Sequence, residues 1–191
     1  GTGDPIMQIF CIPTIYLDRD VAGFAPTKGV TFNALLLRPK ARGTVTLRSA
    51  NPTDPPLINP NFLGNDHDLD WEIKGIAAMR EILKTSVLRD EINQELLPGP
   101  DVTDRKTIAE YCRKTVKTGY HPVGTAKMGA ESDKMAVLTP DLKVKGIDGL
   151  RVCDASIMPV IVSANTNAPV QAIADHAADM IINDAKGQAS S

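Results

Sequence analysis

The sequence predicts an α+β fold in which an antiparallel sheet is flanked by helices, and three observations carry that prediction. Strand-like runs crowd the first 60 or so residues, helical periodicities follow rather than alternate with them, and the chain closes on a strand candidate and a long amphipathic helix. No internal repeat or low-complexity tract interrupts this order.

Each element has its own signal. Residues 6–17 and 30–38 are rich in Ile, Val, Phe, Thr and Leu, and residues 43–49 alternate apolar and polar side chains. Between the second and third runs stands a short turn, Arg38-Pro39-Lys40-Ala41-Arg42-Gly43, so these two are expected to pair as a hairpin. Pro52, Pro55, Pro56 and Pro60 exclude helix from the next stretch and predict an extended, rigid loop. Asp66 or Asp68 is expected to cap a helix whose apolar face is Leu69, Ile73, Ile76, Leu83 and Val87, with Pro98-Gly99-Pro100 ending the helical stretch. A second helix is expected from Thr103, presenting Ile108, Tyr111 and Cys112 inward. Residues 141–144 and 150–153 are short strand candidates around Gly146-Ile147-Asp148-Gly149. The last helix is read from Val170, Ile173, Ala174, Ala177, Ala178 and Ile181, with Pro169 in its first turn and Asn167 as its cap.

Composition excludes several function classes. The 191 residues hold 42% hydrophobic side chains, enough to close a sizeable core. Twenty-one basic and 23 acidic residues give a formal charge of −2 without a block of like charge, which argues against nucleic acid as a partner and against a polybasic membrane anchor. No apolar run reaches the roughly 18 to 20 residues that span a bilayer. Cys11, Cys112 and Cys153 are odd in number and form no CxxC pair, so no disulfide framework or zinc cluster is indicated and a cytoplasmic setting is expected.

Only His67, His121 and His176 could serve an imidazole mechanism. His67, in an acidic helix start, and His176, within the last helix, read as capping or surface residues, and the three lack the spacing of metal ligands. His121 differs because Pro122 and Gly124 follow it, a context that stiffens the backbone and admits close approach of another group. By residue type alone it reads equally as a buried turn histidine.

The segment Gly119-Tyr120-His121-Pro122-Val123-Gly124-Thr125-Ala126-Lys127-Met128-Gly129 resembles the active-site histidine segment of the glucose-methanol-choline oxidoreductases, especially their choline-dehydrogenase-like branch. Three further stretches agree in order and distance: residues 37–49 with 54–63, residues 150–159, and residues 165–180. Ala41, where many relatives carry Ser, and Cys153, where an aliphatic residue is common, are small departures.

The resemblance implies an FAD-dependent oxidation of a small alcohol. It implies His121 as the acid/base, Asn165 as the group that orients the hydroxyl, and the flavin as hydride acceptor. Thr166, Asn167 and Ala168, at the positive end of the last helix, would face the flavin's pyrimidine edge. Asp154 and Ala155 would lie along its ribityl or phosphate portion; Asp154 alone reads as a strand-end turn residue, and Asn165 alone as a helix-entry residue.

On this reading residues 1–150 belong to the substrate-binding, catalytic domain, residues 151–185 supply a last strand and helix that complete an FAD-binding domain, and residues 186–191 form a disordered tail. The glycine fingerprint GxGxxG that holds a dinucleotide's diphosphate does not occur. The expected partner is therefore an upstream FAD-binding segment of the same enzyme, and the 191 residues alone are expected to be colourless and inactive. A cyanohydrin lyase on the same scaffold and a non-catalytic module that cannot hold FAD are the alternatives.

Overall fold

The computed structural model describes residues 3–16, 28–85 and 87–189. The chain divides into two compact units, Gly1–Lys117 and Thr118–Ser191.

In the first unit, β1 (Met7–Ile12) runs antiparallel to β2 (Thr31–Leu36), with Met7 opposite Leu36 and Ile12 opposite Thr31. The predicted first run is thus strand only to Ile12, and its last residue, 17, lies outside the described residues. A second ribbon pairs β3 (Thr44–Thr46) with β4 (Leu57–Asn59), Thr44 opposite Asn59. The fold is α+β, but its described strands form two short antiparallel ribbons rather than one sheet.

The expected hairpin between β2 and β3 does not form, and the reason is a side chain. Asp68 is almost wholly buried, and its two carboxylate oxygens accept the backbone N–H groups of Lys40 and Ala41, each at 2.8 Å. Those amides are committed to a helix carboxylate, so the chain leaving β2 is drawn away instead of folding back. At Gly43 a Cβ would stand 2.1 Å from the Asn59 carbonyl oxygen, so the absence of a side chain is what lets β3 lie against β4. The proline-rich stretch becomes the loop of that hairpin. Asn51 and Ser49 both donate to the Asp54 carboxylate, at 3.0 and 2.6 Å, and Arg48 donates to the Pro55 carbonyl at 3.0 Å. Among the described residues neither edge of the β3–β4 ribbon is paired beyond its partner, and Val45, Leu47 and Ile58 are 49%, 86% and 68% exposed.

Helix α1 (Asp66–Thr85) is capped by Asn65, one residue before Asp66 and three before Asp68, the two expected caps. The Asn65 side chain accepts the Asp68 N–H at 3.0 Å and donates back to the Asp68 carboxylate at 3.1 Å, a reciprocal arrangement that satisfies the first turn. The helix stops at Thr85, and Val87, predicted on its apolar face, is 90% exposed in a 3-10 turn, Val87–Asp90. Helix α2 (Arg105–Thr115) starts two residues after the predicted Thr103 because Asp104 caps it, accepting from the N–H groups of Lys106 and Thr107. Between the two helices lies the core of this unit: Leu69, Ile76, Ile108, Ala109 and Cys112, flanked by Ile73 and Tyr111. Arg80 ties the intervening loop down, with two bonds to Glu95 at 2.9 and 2.7 Å and others to the carbonyls of Val102 and Gly99. On the outward side of α1 the Lys74 ammonium sits 4.4 Å from the centre of the Trp71 ring.

The second unit contains α3 (Asn167–Ala189) and, before it, chain whose strand pairing among the described residues is limited to isolated bridges, Met128 to Leu138, Leu138 to Val144 and Lys143 to Arg151. The strands expected at 141–144 and 150–153 are thereby reduced to single pairings. Leu142 explains the first: it is buried with φ of +67°, and its N–H closes a turn on the Thr139 carbonyl at 3.0 Å, so the segment bends where a strand would run on. The last stretch, expected to complete an FAD-binding domain, makes one bridge, Lys143 to Arg151, flanked by bonds from Val152 N–H to the Leu142 carbonyl and from Val144 N–H to the Leu150 carbonyl. Helix α3 buries Ala177 against fully enclosed Leu138, Leu142 and Ile157, with Ile173 and Met180 alongside. Ala174, Ala178 and Ile181 of the predicted stripe stay exposed. The helix runs on to Ala189, over residues expected in the tail, and 190–191 lie outside the described residues.

Candidate functional site

Two backbone bends frame His121. Tyr120 before it has φ of +65°, and Gly124 after it has φ of +87° with its Cα so close to Met158 that a Cβ would meet that carbonyl at 3.2 Å. Glycine is required at the second bend for both reasons. Beyond it the chain is zipped to residues 156–157, Ala126 N–H donating to the Ser156 carbonyl at 3.1 Å and Met128 N–H to the Ile157 carbonyl at 2.9 Å. The imidazole is half-buried and hung on a segment fixed at both ends.

The strip that holds it is a 3-10 turn, Ala155–Ile157, capped by Asp154. The Asp154 carboxylate accepts the Ser156 N–H at 2.8 Å as well as the Ser156 hydroxyl, and these bonds hold its pKa below the usual carboxylate range. Asp154 thus spends its side chain on building the turn, within which the carbonyls of Asp154 and Ala155 accept the N–H groups of Ile157 and Met158, each at 3.3 Å. Ile157, at the end of the turn, is sealed in the core.

Helix α3 opens on the imidazole. His121 Nδ1 lies 3.0 Å from the hydroxyl of Thr166, which is 8% exposed, and the Thr166 carbonyl accepts the Val170 N–H at 2.9 Å. Thr166, rather than the predicted Asn167, therefore occupies the cap position, with Asn167 as the first helical residue. Asn165, Asn167 and Ala168 are exposed around this opening, and Gln171 donates to the Asn167 carboxamide oxygen at 3.4 Å. Asn165 reaches the site as the chain neighbour of Thr166, without a direct bond to His121. The structure thus brings together the segments at 121 and 165–168, forty-five residues apart, and seats the 154–157 turn beneath the first of them.

The other histidines stand elsewhere. His67 Nδ1 is 3.0 Å from an Asp68 carboxylate oxygen in the first unit, and His176 is exposed on α3. Among the described residues no group of three or more His, Cys, Asp or Glu side chains could hold a metal, and no helix is long and apolar enough to cross a membrane.

Two features were not read from the sequence. One is the tie between Thr166 and His121, for which the only advance signal is Pro169, three residues past the cap. The other is the fastening of α3 near its far end. Asp184 pairs with Arg151 and, at 3.0 Å, with Lys143, which also reaches Asp141 at 2.9 Å. Hydrogen bonds from Thr139 and Lys143 push Asp141 down to about 2, and those from Lys143 and Arg151 lower Asp184.

Comparison with known proteins gives these geometries a context. The family model described as GMC oxidoreductase matches residues 39–174. An alcohol dehydrogenase [acceptor] of Pseudomonas putida is 42% identical over 178 residues, covering 93% of this chain and 32% of that protein. A choline oxidase of Arthrobacter globiformis is 40% identical over 161 residues, 83% of this chain and 28% of that protein. Among solved structures, a formate oxidase of Aspergillus oryzae RIB40, in work concerned with FAD modification, superposes with a TM-score of 0.82 at 29% identity, covering 97% of this chain and 33% of the other. The chain spans about a third of the length of the relatives it matches.

Proposed function

The chain belongs to the GMC oxidoreductase family, and from that premise we propose that it is the catalytic carboxy-terminal part of an FAD-dependent alcohol oxidoreductase, completed by an upstream FAD-binding segment of the same enzyme. The observation that carries the reading is the bond between His121 and Thr166, which joins the histidine segment to the opening of α3.

The residues present suit one edge of such a cofactor. The N–H groups of Asn167 and Ala168 have no acceptor within the helix, both residues are exposed, and the positive end of a 23-residue helix favours negative charge there. Asn167 and Ala168, at the helix end that Thr166 caps, would hold the flavin's pyrimidine edge, and the backbone of Asp154 and Ala155 its ribityl or phosphate portion. When bound, FAD would supply a hydride acceptor for the carbinol hydrogen. The chain's own part is proton chemistry and orientation: His121 takes the hydroxyl proton of a small alcohol, and the neutral Asn165 carboxamide orients that hydroxyl without competing for the proton.

In the full-length enzyme, His121→Ala is expected to slow alcohol-dependent flavin reduction on the order of 10²- to 10⁴-fold. A variant that reduces its flavin at the native rate would remove His121 from the mechanism.

A further inference from the structure

We propose that Thr166 is a positioning residue that holds His121 in a single tautomer, with the proton on Nδ1 and the lone pair on Nε2. The inference rests on the reading of His121 as the acid/base group, but its geometry stands independently of that reading.

The cap position of a helix explains why this hydroxyl is available. A capping Thr normally turns its oxygen onto the N–H of the second or third helical residue. Here the third helical residue is Pro169, which has no N–H, so the usual choice is narrowed to Ala168, whose N–H makes no bond to the Thr166 hydroxyl. The Thr166 hydroxyl bonds to the imidazole instead, at 3.0 Å, in a place where 8% exposure leaves little room for water to compete. The imidazole in turn cannot drift away, because the bends at Tyr120 and Gly124 and the bonds from Ala126 and Met128 fix its backbone.

The ring nitrogen that carries the proton is set by the bond the other nitrogen makes. If Nδ1–H donates to the Thr166 oxygen, Nε2 keeps a lone pair and can take a proton. Once it has done so, Nδ1–H still donates to the same oxygen, so the contact survives both protonation states. The opposite arrangement, a Thr166 hydroxyl donating to Nδ1, would leave the proton on Nε2 and disable it as a base. A threonine oxygen held at Nδ1 is therefore what a histidine that alternates between base and acid requires. The neighbouring Asn165 is exposed and so is placed to meet a ligand, whereas Thr166 is buried and acts through the ring.

The test is the tautomer of His121 in the 191-residue protein labelled with 15N-histidine, read from two-bond proton–nitrogen correlations above the pH at which the ring loses its charge. A His121→Gln spectrum assigns the signals. The expected result is the Nδ1–H pattern in the native chain, its loss in Thr166→Val, and its return in Thr166→Ser. A native spectrum of the Nε2–H form, or an unaltered Nδ1–H pattern in Thr166→Val, would overturn the proposal. The native measurement decides even if the valine variant does not fold. A full-rate His121→Ala enzyme alongside an Nδ1–H pattern that depends on Thr166 would strike out the catalytic reading and leave this inference standing.

Discussion

His121 and Asp154 illustrate how differently single residues declare themselves. The histidine is legible because a proline and a glycine follow it and the surrounding motif is specific. Thr166 is not, since a threonine before a helix ordinarily means only a cap. Asp154 combines both situations: its motif marks it for the site, yet its carboxylate is occupied in holding the turn that anchors residues 126–128. Asp154→Ala is therefore expected to destabilise the second unit by about 1 kcal/mol, measured by urea denaturation followed by circular dichroism, because a capping carboxylate is lost. Asn165→Ala, in contrast, should leave stability unchanged, its side chain being exposed, while lowering kcat for alcohol oxidation in the full-length enzyme. A native kcat in that variant would remove the carboxamide from the site.

Elements with a strong period were legible, and those whose shape depends on a distant side chain were not. All three helices lie where apolar spacing and capping chemistry put them, within a turn at each start. The partner of β3 was missed because nothing local indicates that the carboxylate of Asp68, 27 residues beyond Ala41, claims the amides a hairpin turn would use. The strand expected at 141–144 was missed because a leucine in the left-handed region has no signature of its own. Burial acts to raise the pKa of Asp68, but bonds from His67, Lys40, Ala41 and Asn65 outweigh it and hold it below the usual range. Asp68→Ala is expected to cost about 2 to 3 kcal/mol, since two backbone amides lose a charged acceptor. The check is a chemical denaturation midpoint, and a change under 1 kcal/mol would mean that water replaces the carboxylate.

Across the whole molecule the two units answer acid in different pH ranges. Burial, aided by the charge of Asp68, lifts half-buried Glu72 on α1 to about 7 from its ordinary 4.5. Its folded pKa is the higher one, so its stabilising contribution is complete below about 4.5 and disappears as pH rises through 7. In the second unit Asp141 and Asp184 are lowered, so their contribution is present above the ordinary carboxylate range and is lost only as pH falls below it. Trp71, the single tryptophan and the neighbour of Glu72, reports on the first unit alone. Its fluorescence midpoint in urea should rise between pH 8 and pH 5, and Glu72→Gln should flatten that slope; a flat native profile would contradict the shift. The β3–β4 ribbon carries a different liability. Strand edges with no further partner among the described residues, flanked by uncovered Val, Leu and Ile, invite a second molecule to continue the ladder, so a solution of the chain by itself should grow heavier in sedimentation as it is concentrated. A lysine in place of Ile58 acts as a gatekeeper and should keep it monodisperse.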